Sequence, residues 1–329
     1  MKRIALILIA GFSMLFSSSS ISGVAYFEYE DSFALSRTYF TYKNTVSDEL
    51  SFKFQVDVGQ IDDVDTHATA FCSDLISPDQ STCESALETW YPQNVAVDND
   101  DRWTVYLKKA HMDWKVTSNM KMSMGMIGMN MFNVQEKTWG HRFLYKSAMD
   151  KYKFSASADL GIAFTQKMGS ITGSLLMTNG EGYKESDVDD ENKISLQLLY
   201  GPAKLNKKDG YNFGIVYSSL EDVTVTGFFG GWASNGLRVG LEQNTEDDNG
   251  TENALTSIYA TYKVNNNLSA LVRMDDVDAN KDGDSEEVTM AGLIWTPTKG
   301  LDICLNRTSV AVDGGDSDYI TKLNFQLKF

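Results

Sequence analysis

The sequence predicts a closed antiparallel transmembrane β-barrel of 16 strands, and three observations carry that prediction. Apolar residues recur at every second position over stretches long enough to cross a membrane as tilted strands. Short connections alternate with long acidic ones, as periplasmic turns alternate with external loops. The chain ends on an alternating strand, in which Leu323, Phe325, Leu327 and Phe329 are separated by Asn324, Gln326 and Lys328.

The first segment is a leader. Met1, Lys2 and Arg3 open with positive charge, residues 4–16 are apolar, and residues 17–23 are small and polar apart from Ile21. That order predicts a secretory signal peptide over residues 1–23. The apolar run is shorter than the roughly 20 residues of a spanning helix. Cleavage near Ser22 or Gly23 starts the mature chain close to Val24, which leaves residues 24–329 for the barrel.

The strands follow in order. Residues 24–30 supply the first, and fifteen more are read from Phe33 onward; fourteen in all is the alternative count. Leu50, Phe52, Phe54, Val56 and Val58 alternate with Ser51, Lys53, Gln55, Asp57 and Gly59. Met120, Met122, Met124 and Met126 alternate with Lys121, Ser123 and Gly125, which predicts a lipid-facing methionine row and not a copper site. Residues 152–164 alternate without a break, and predict one long strand with Phe154 and Phe164 pointing outward. Closure is required because an unpaired edge in lipid leaves backbone groups unsatisfied. A barrel of this size keeps an aqueous lumen.

Composition agrees. The chain holds 17 Phe, 15 Tyr and 6 Trp but 4 Pro, and its mean hydropathy is −0.28. A barrel reconciles these values, because averaging over lipid and lumen faces hides the apolar one. The net charge is −16, and loss of Lys2 and Arg3 with the leader takes it to −18. Such acidity argues against a nucleic-acid partner. Long acidic connections are read at 62–102, 131–150, 180–192, 244–253 and 275–287, and short ones at 44–48, 117–119, 167–169, 233–235, 264–267 and 296–300. The exceptions are a short link at 219–222 and a longer turn at 202–210.

Within the wall and the third external loop, cations gather despite the acidic total. A bulge at Lys108 and Lys109 lets Lys108, His111, Asp113 and Lys115 face the lumen, and Lys53, Lys121 and Lys153 join them by parity. The loop 131–150, expected to fold inward, adds Lys137, His141, Arg142 and Lys146. Eight of these basic side chains, all but Lys53 and Lys153, predict the constriction of an anion path. The alternative is a solvated face whose lysines pair with Asp57, Asp113 and Asp159.

Other chemistry is sparse. Cys72 and Cys83 can form a disulfide in the longest loop, worth roughly 3 kcal/mol by chain entropy, while Cys304 stands alone in the wall. Asp278, Asn280, Asp282 and Asp284 with Gly283 offer hard oxygen ligands for Ca²⁺ in the loop 276–287, but the twelfth position is Thr289 where a bidentate Glu is needed. No other cofactor is expected. The three histidines, His67, His111 and His141, mark no nucleophile motif, so an enzyme is not expected.

Residues 32–57 (SFALSRTYFTYKNTVSDELSFKFQVD) resemble the opening hairpin of the phosphate-selective porin O and P family. Residues 108–114 (KKAHMDW) resemble its next strand. Residues 139–142 (WGHR), 159–161 (DLG) and 179–183 (NGEGY) follow in the family's order. The resemblance spans about residues 32–183, with a generic barrel beyond. It implies an outer-membrane channel, often homotrimeric, that passes anions such as phosphate. The expected function is a porin in the outer membrane of a Gram-negative bacterium. Its expected partners are membrane lipid, lipopolysaccharide, small solutes, and the barrel-assembly machinery through the C-terminal strand. A structural or adhesive barrel with partner-binding loops is the alternative.

Overall fold

The computed structural model describes residues 18–60, 71–72, 90–91, 103–184, 191–278 and 284–329. Its strands are β1 (Ser19–Tyr29), β2 (Phe33–Thr45), β3 (Leu50–Gln60), β4 (Phe71–Cys72), β5 (Trp90–Tyr91), β6 (Trp103–Lys115), β7 (Met120–Gly128), β8 (Ala158–Met168), β9 (Ile171–Thr178), β10 (Lys193–Tyr200), β11 (Gly210–Leu220), β12 (Val223–Ser234), β13 (Leu237–Asp248), β14 (Thr251–Lys263), β15 (Leu268–Val277), β16 (Glu286–Thr298), β17 (Leu301–Val312) and β18 (Asp318–Lys328). Two helices, α1 (Asn133–Trp139) and α2 (Ala148–Lys151), lie between β7 and β8. Sixteen of the strands close a barrel in the order β1-β18-β17-β16-β15-β14-β13-β12-β11-β10-β9-β8-β7-β6-β3-β2, and β4–β5 is a separate hairpin. Residues 58–105 form a compact unit of their own; residues 1–57 and 106–329 form the other. All that follows concerns the larger unit.

Closure is antiparallel, with Val24–Tyr29 of β1 paired to Leu323–Lys328 of β18. The strand β1 begins at Ser19, upstream of the expected cleavage, and residues 1–17 of the leader lie outside the described residues.

Alternation does what it must in a lipid-facing wall. Along β10, Ile194, Leu196 and Leu198 are exposed on the outside while Ser195 and Gln197 are buried on the inside. Phe52, Phe164 and Phe329 likewise face out. Tyr211, Trp232, Tyr262 and Trp295 are exposed near the ends of their strands and make an aromatic rim.

The inner face breaks that rule on one side. Leu199, Val216, Val225, Phe229, Leu255 and Val277 point inward and are buried by Met131, Phe132, Val134, Ala148, Met149, Tyr152 and Phe154. A second cluster packs Trp139 and Phe143 against Tyr26, Tyr39, Tyr259, Leu271, Met290, Ile294 and Cys304. The segment 131–157 therefore fills part of the lumen as a core fills a soluble domain. Helix α1 stops at Gly140, whose φ of 76° lets its N–H reach the Glu136 carbonyl. From the short-turn side, Leu205 is buried near Gly231 of the wall. A Cβ on Gly231 would sit 2.8 Å from both Leu205 Cδ1 and Thr138 Cγ2, so a larger residue there would have to displace both side chains.

Three expectations are corrected. The strand read from residue 152 begins at Ala158, because Lys153 takes a left-handed φ of 62° that extended chain cannot pass. Phe154 consequently lies in the lumen core, not on lipid. The long connection read at 244–253 is a two-residue turn, with Asn249 at φ 51° and Gly250 at φ 85° between β13 and β14.

Candidate functional site

Because segment 131–157 packs against the β10–β17 wall, free space remains on the β2–β9 side. Two cavities lie there among the described residues. The upper, of about 400 Å³, lies beside α1, and the lower, of about 610 Å³, runs toward the short turns. Both are bordered by Lys53, Lys109, Gly128, Asn133 and Lys137, so they meet. Parity on β3 turns Lys53 inward opposite exposed Phe52. Lys108 and Lys109 both border the upper cavity, which consecutive strand residues do only where the pleat is interrupted. Gly128 leaves room for the Lys109 ammonium, which lies 2.8 Å from where a Cβ would stand. Lys43 and Lys121 border the lower cavity from β2 and β7, and Lys204 reaches it from the 201–209 turn.

The cations fall into two classes. Among the described residues, Lys43, Lys53, Lys109, Lys137 and Lys204 make no ion pair. Burial pushes the Lys137 ammonium down to about 8; Glu136 opposes that, and Lys204, Lys109 and Lys121 add to it. The second class is paired. Asp57 accepts from Arg37 at 3.1 Å, Lys108 at 3.3 Å and the Tyr183 hydroxyl at 2.6 Å. Lys121 reaches Asp113 at 2.9 Å, and Ser123 also donates to Asp113. Among the described residues Asp159 pairs with no lysine; it accepts from the backbone N–H groups of Leu160 and Gly180, each at 2.8 Å.

The eight side chains grouped from sequence are thus divided. Lys137 lies at the junction. Lys108, Arg142 and Lys121 border the cavities but are paired. His111 is buried on the lower cavity wall, its Nδ1 3.0 Å from the Met126 carbonyl. Lys115 is corrected to the turn, where it is exposed and donates to the Asp48 carbonyl at 2.7 Å. His141 is corrected to the opposite wall: its Nε2 lies 3.1 Å from Thr261 Oγ1 and 3.0 Å from Arg238 Nη2. Burial, then Arg238, pushes its imidazole down to about 3, so it carries no charge at neutral pH. At Lys146 it is the backbone carbonyl that engages the wall, accepting from Arg273 Nη1 at 2.7 Å.

Anchors of the inward segment were not visible in sequence. Arg273 donates through Nε to Asp275 Oδ1 at 2.8 Å and through Nη2 to Asp275 Oδ2 at 2.7 Å, and its guanidinium lies 5.0 Å from the ring centres of Trp139 and Tyr145. Asp275, read as part of an acidic external loop, is therefore a buried lumen residue. Arg238 holds the Trp139 carbonyl at 2.8 Å. Arg142 bridges Glu136 and Asp150 and reaches the Tyr39 hydroxyl at 3.3 Å. Burial opposes its charge, but Tyr39, Asp150 and Glu136 together raise it above the usual arginine range. Inward parity was the available signal for Lys43 and Arg273; Lys204 had none, because its turn leaves the wall.

The Cys72–Cys83 pair and the Ca²⁺ loop are not reached. Cys83, Asn280 and Asp282 lie outside the described residues, as does the side chain of Cys72. Cys304 is a free, buried thiol facing the lumen core.

No protein-family model matches the sequence, and no curated protein matches it. Solved structures do match the fold. OmpF of Salmonella typhi, in complex with daunomycin, superposes with a TM-score of 0.63 at 10% identity, covering 94% of this chain and 97% of its own. The trimer form of OmpT, an outer membrane protein of Vibrio cholerae, gives 0.58 at 10% identity over 95% and 99%. The outer membrane channel DcaP of Acinetobacter baumannii gives 0.53 at 10% identity over 95% and 96%. The likeness is one of fold, a closed antiparallel barrel, and it runs along nearly the whole chain.

Proposed function

We propose that this protein is a porin of the Gram-negative outer membrane, a water-filled channel for passive diffusion of small hydrophilic solutes, and that it favours anions. One observation carries the reading: the free space in the lumen is bordered by Lys43, Lys53, Lys109, Lys137 and Lys204, none of them ion-paired to a carboxylate among the described residues. Water in a narrow lumen screens less well than bulk, so fixed charges beside the path act strongly on a passing ion. Acids on the external loops act from farther away and are screened over a Debye length of ~8 Å. Phosphate is one anion the sequence resemblance suggests. The inward packing of 131–157 supports a channel over an adhesive barrel, since that segment presents its residues to the lumen. The trimer form of OmpT supports a homotrimer.

The test is the reversal potential of the purified protein in planar bilayers under a KCl gradient. Wild type should prefer chloride. The triple variant Lys53→Gln, Lys109→Gln, Lys137→Gln should move the potential toward potassium. A wild-type channel that prefers potassium, and keeps that preference in the variant, would sink the anion reading.

A further inference from the structure

The upper cavity has two unlike sides. Lys53, Lys109 and Lys137 stand on one, with no carboxylate paired to them. The other carries Tyr26, Tyr39, Phe132 and Met129 together with the paired Lys108, whose ammonium lies 5.0 Å from the Tyr39 ring centre. The two tyrosines meet edge to face, 5.9 Å between centroids at 76°, and Phe132 is held in the core beneath α1, so this side is a packed surface. The Tyr39 hydroxyl accepts from Arg142 Nε at 3.3 Å, and the residue is among those lining the space. Glu136 is the acid on this cavity, and Arg142 holds it at 3.1 Å, so it makes no ion pair with the lysines. The volume of about 400 Å³ is that of a small-molecule site. The lower cavity has Ser51, Ser123, Asn130, Thr165 and Ser174 among its lining, and lacks the tyrosine rings.

A small hydrated inorganic anion can use the lysines but gains nothing from the rings. An organic acid with an apolar body uses both sides at once: its carboxylate meets the ammonium groups, and its body leaves water against aromatic carbon. We infer that the upper cavity is a binding site on the solute path for organic carboxylates that carry an apolar or aromatic body. This rests on the anion-channel reading and names the solute class that reading leaves open. Such acids are held beside α1 and released into the hydroxyl-lined lower cavity.

Block of the chloride current tests it. Single channels in KCl are exposed to sodium benzoate, sodium acetate or neutral benzyl alcohol at matched concentrations. Benzoate should reduce the current at roughly tenfold lower concentration than acetate, because only its ring adds apolar contact. Benzyl alcohol should have little effect, since it lacks the charge. Lys53→Gln with Lys109→Gln should weaken block by both acids, and Met129→Gln should weaken block by benzoate alone. A chloride-preferring channel that benzoate and acetate block equally overturns this inference and leaves the anion reading standing. So does block by benzyl alcohol equal to that by benzoate. A potassium-preferring wild-type channel overturns the anion reading itself. The wild-type comparison needs no variant to fold.

Discussion

Arg273 and Lys109 are both lumen-facing cations of one barrel, yet their surroundings are opposite. Arg273, on the β10–β17 side, has both oxygens of Asp275, the Lys146 carbonyl and two aromatic rings. Lys109, on the β2–β9 side, borders two cavities and has no ion-pair partner among the described residues. The first charge is spent on architecture: it pins the inward segment at Trp139 and Lys146, on either side of the turn between α1 and α2. The second keeps its field for whatever passes. A count of lumen cations would have treated them alike; pairing separates a fastener from a selector.

The comparison breaks most visibly at Arg273. Replacing it with Met leaves Asp275 buried without its partner, a loss of about 3–5 kcal/mol for a buried pair. Arg273→Met should lower the denaturant midpoint in detergent and raise single-channel conductance and noise as the segment loosens. Unchanged stability with unchanged conductance would show that this pair does not hold the segment. Converting both partners, Arg273→Met with Asp275→Leu, should recover much of the stability, because no uncompensated charge then remains.

A smaller change should follow from pH. Lys137 is held down to about 8, so it is charged below that value and loses its proton as pH rises through it. Anion preference should therefore weaken between pH 7 and 9. Over the same rise Arg142, held above its ordinary range, stays charged. The unfolded chain, with an ordinary lysine, binds more protons above pH 8, so this group makes stability rise with pH there. A reversal potential flat from pH 7 to 9 would remove Lys137 from the path. Between pH 7 and 5 His141 should contribute no change, since it stays neutral down to about 3.

The least change is expected at Tyr183→Phe. The hydroxyl lost is one of three donors to Asp57, so the cost should be about 1–2 kcal/mol and visible as a lower thermal midpoint. Selectivity should hold, because Arg37 and Lys108 still pair with Asp57. A marked shift in reversal potential would mean that Lys108 belongs with the selectors.

Much of this could be read before any coordinates. Alternation at Leu196 and Leu198, at Phe52, and through the closing strand to Phe329 is a local property: a strand has period two, and lipid accepts apolar side chains on one face. The same reasoning failed at Tyr152 and Phe154, which alternate as well as any strand residue but are buried in the lumen. Parity reports that a face is apolar and cannot distinguish lipid from a core inside the barrel. Leu199, Val216 and Leu255 carried the complementary signal, as apolar residues on the inward parity, and they mark where the segment docks.

For the site, parity brought Lys108, His111 and Lys121 to the lumen, and loop position brought Lys137 and Arg142. It could not separate paired from unpaired, because Asp57 meets Lys108 from β3, and Tyr183 arrives from beyond β9. By itself the sequence determined the barrel and the basic character of its interior, since both follow from residue spacing within single strands; it left the strand number at sixteen or fourteen, and closure of the sheet decided it as sixteen. The tertiary structure alone decided that Asp275 neutralises Arg273, that His141 stays neutral against the far wall, and that Lys204 joins Lys137. Those outcomes depend on which residues, distant in the chain, come within a few ångströms inside a shared lumen, where an ion pair or a missing one sets what a solute meets.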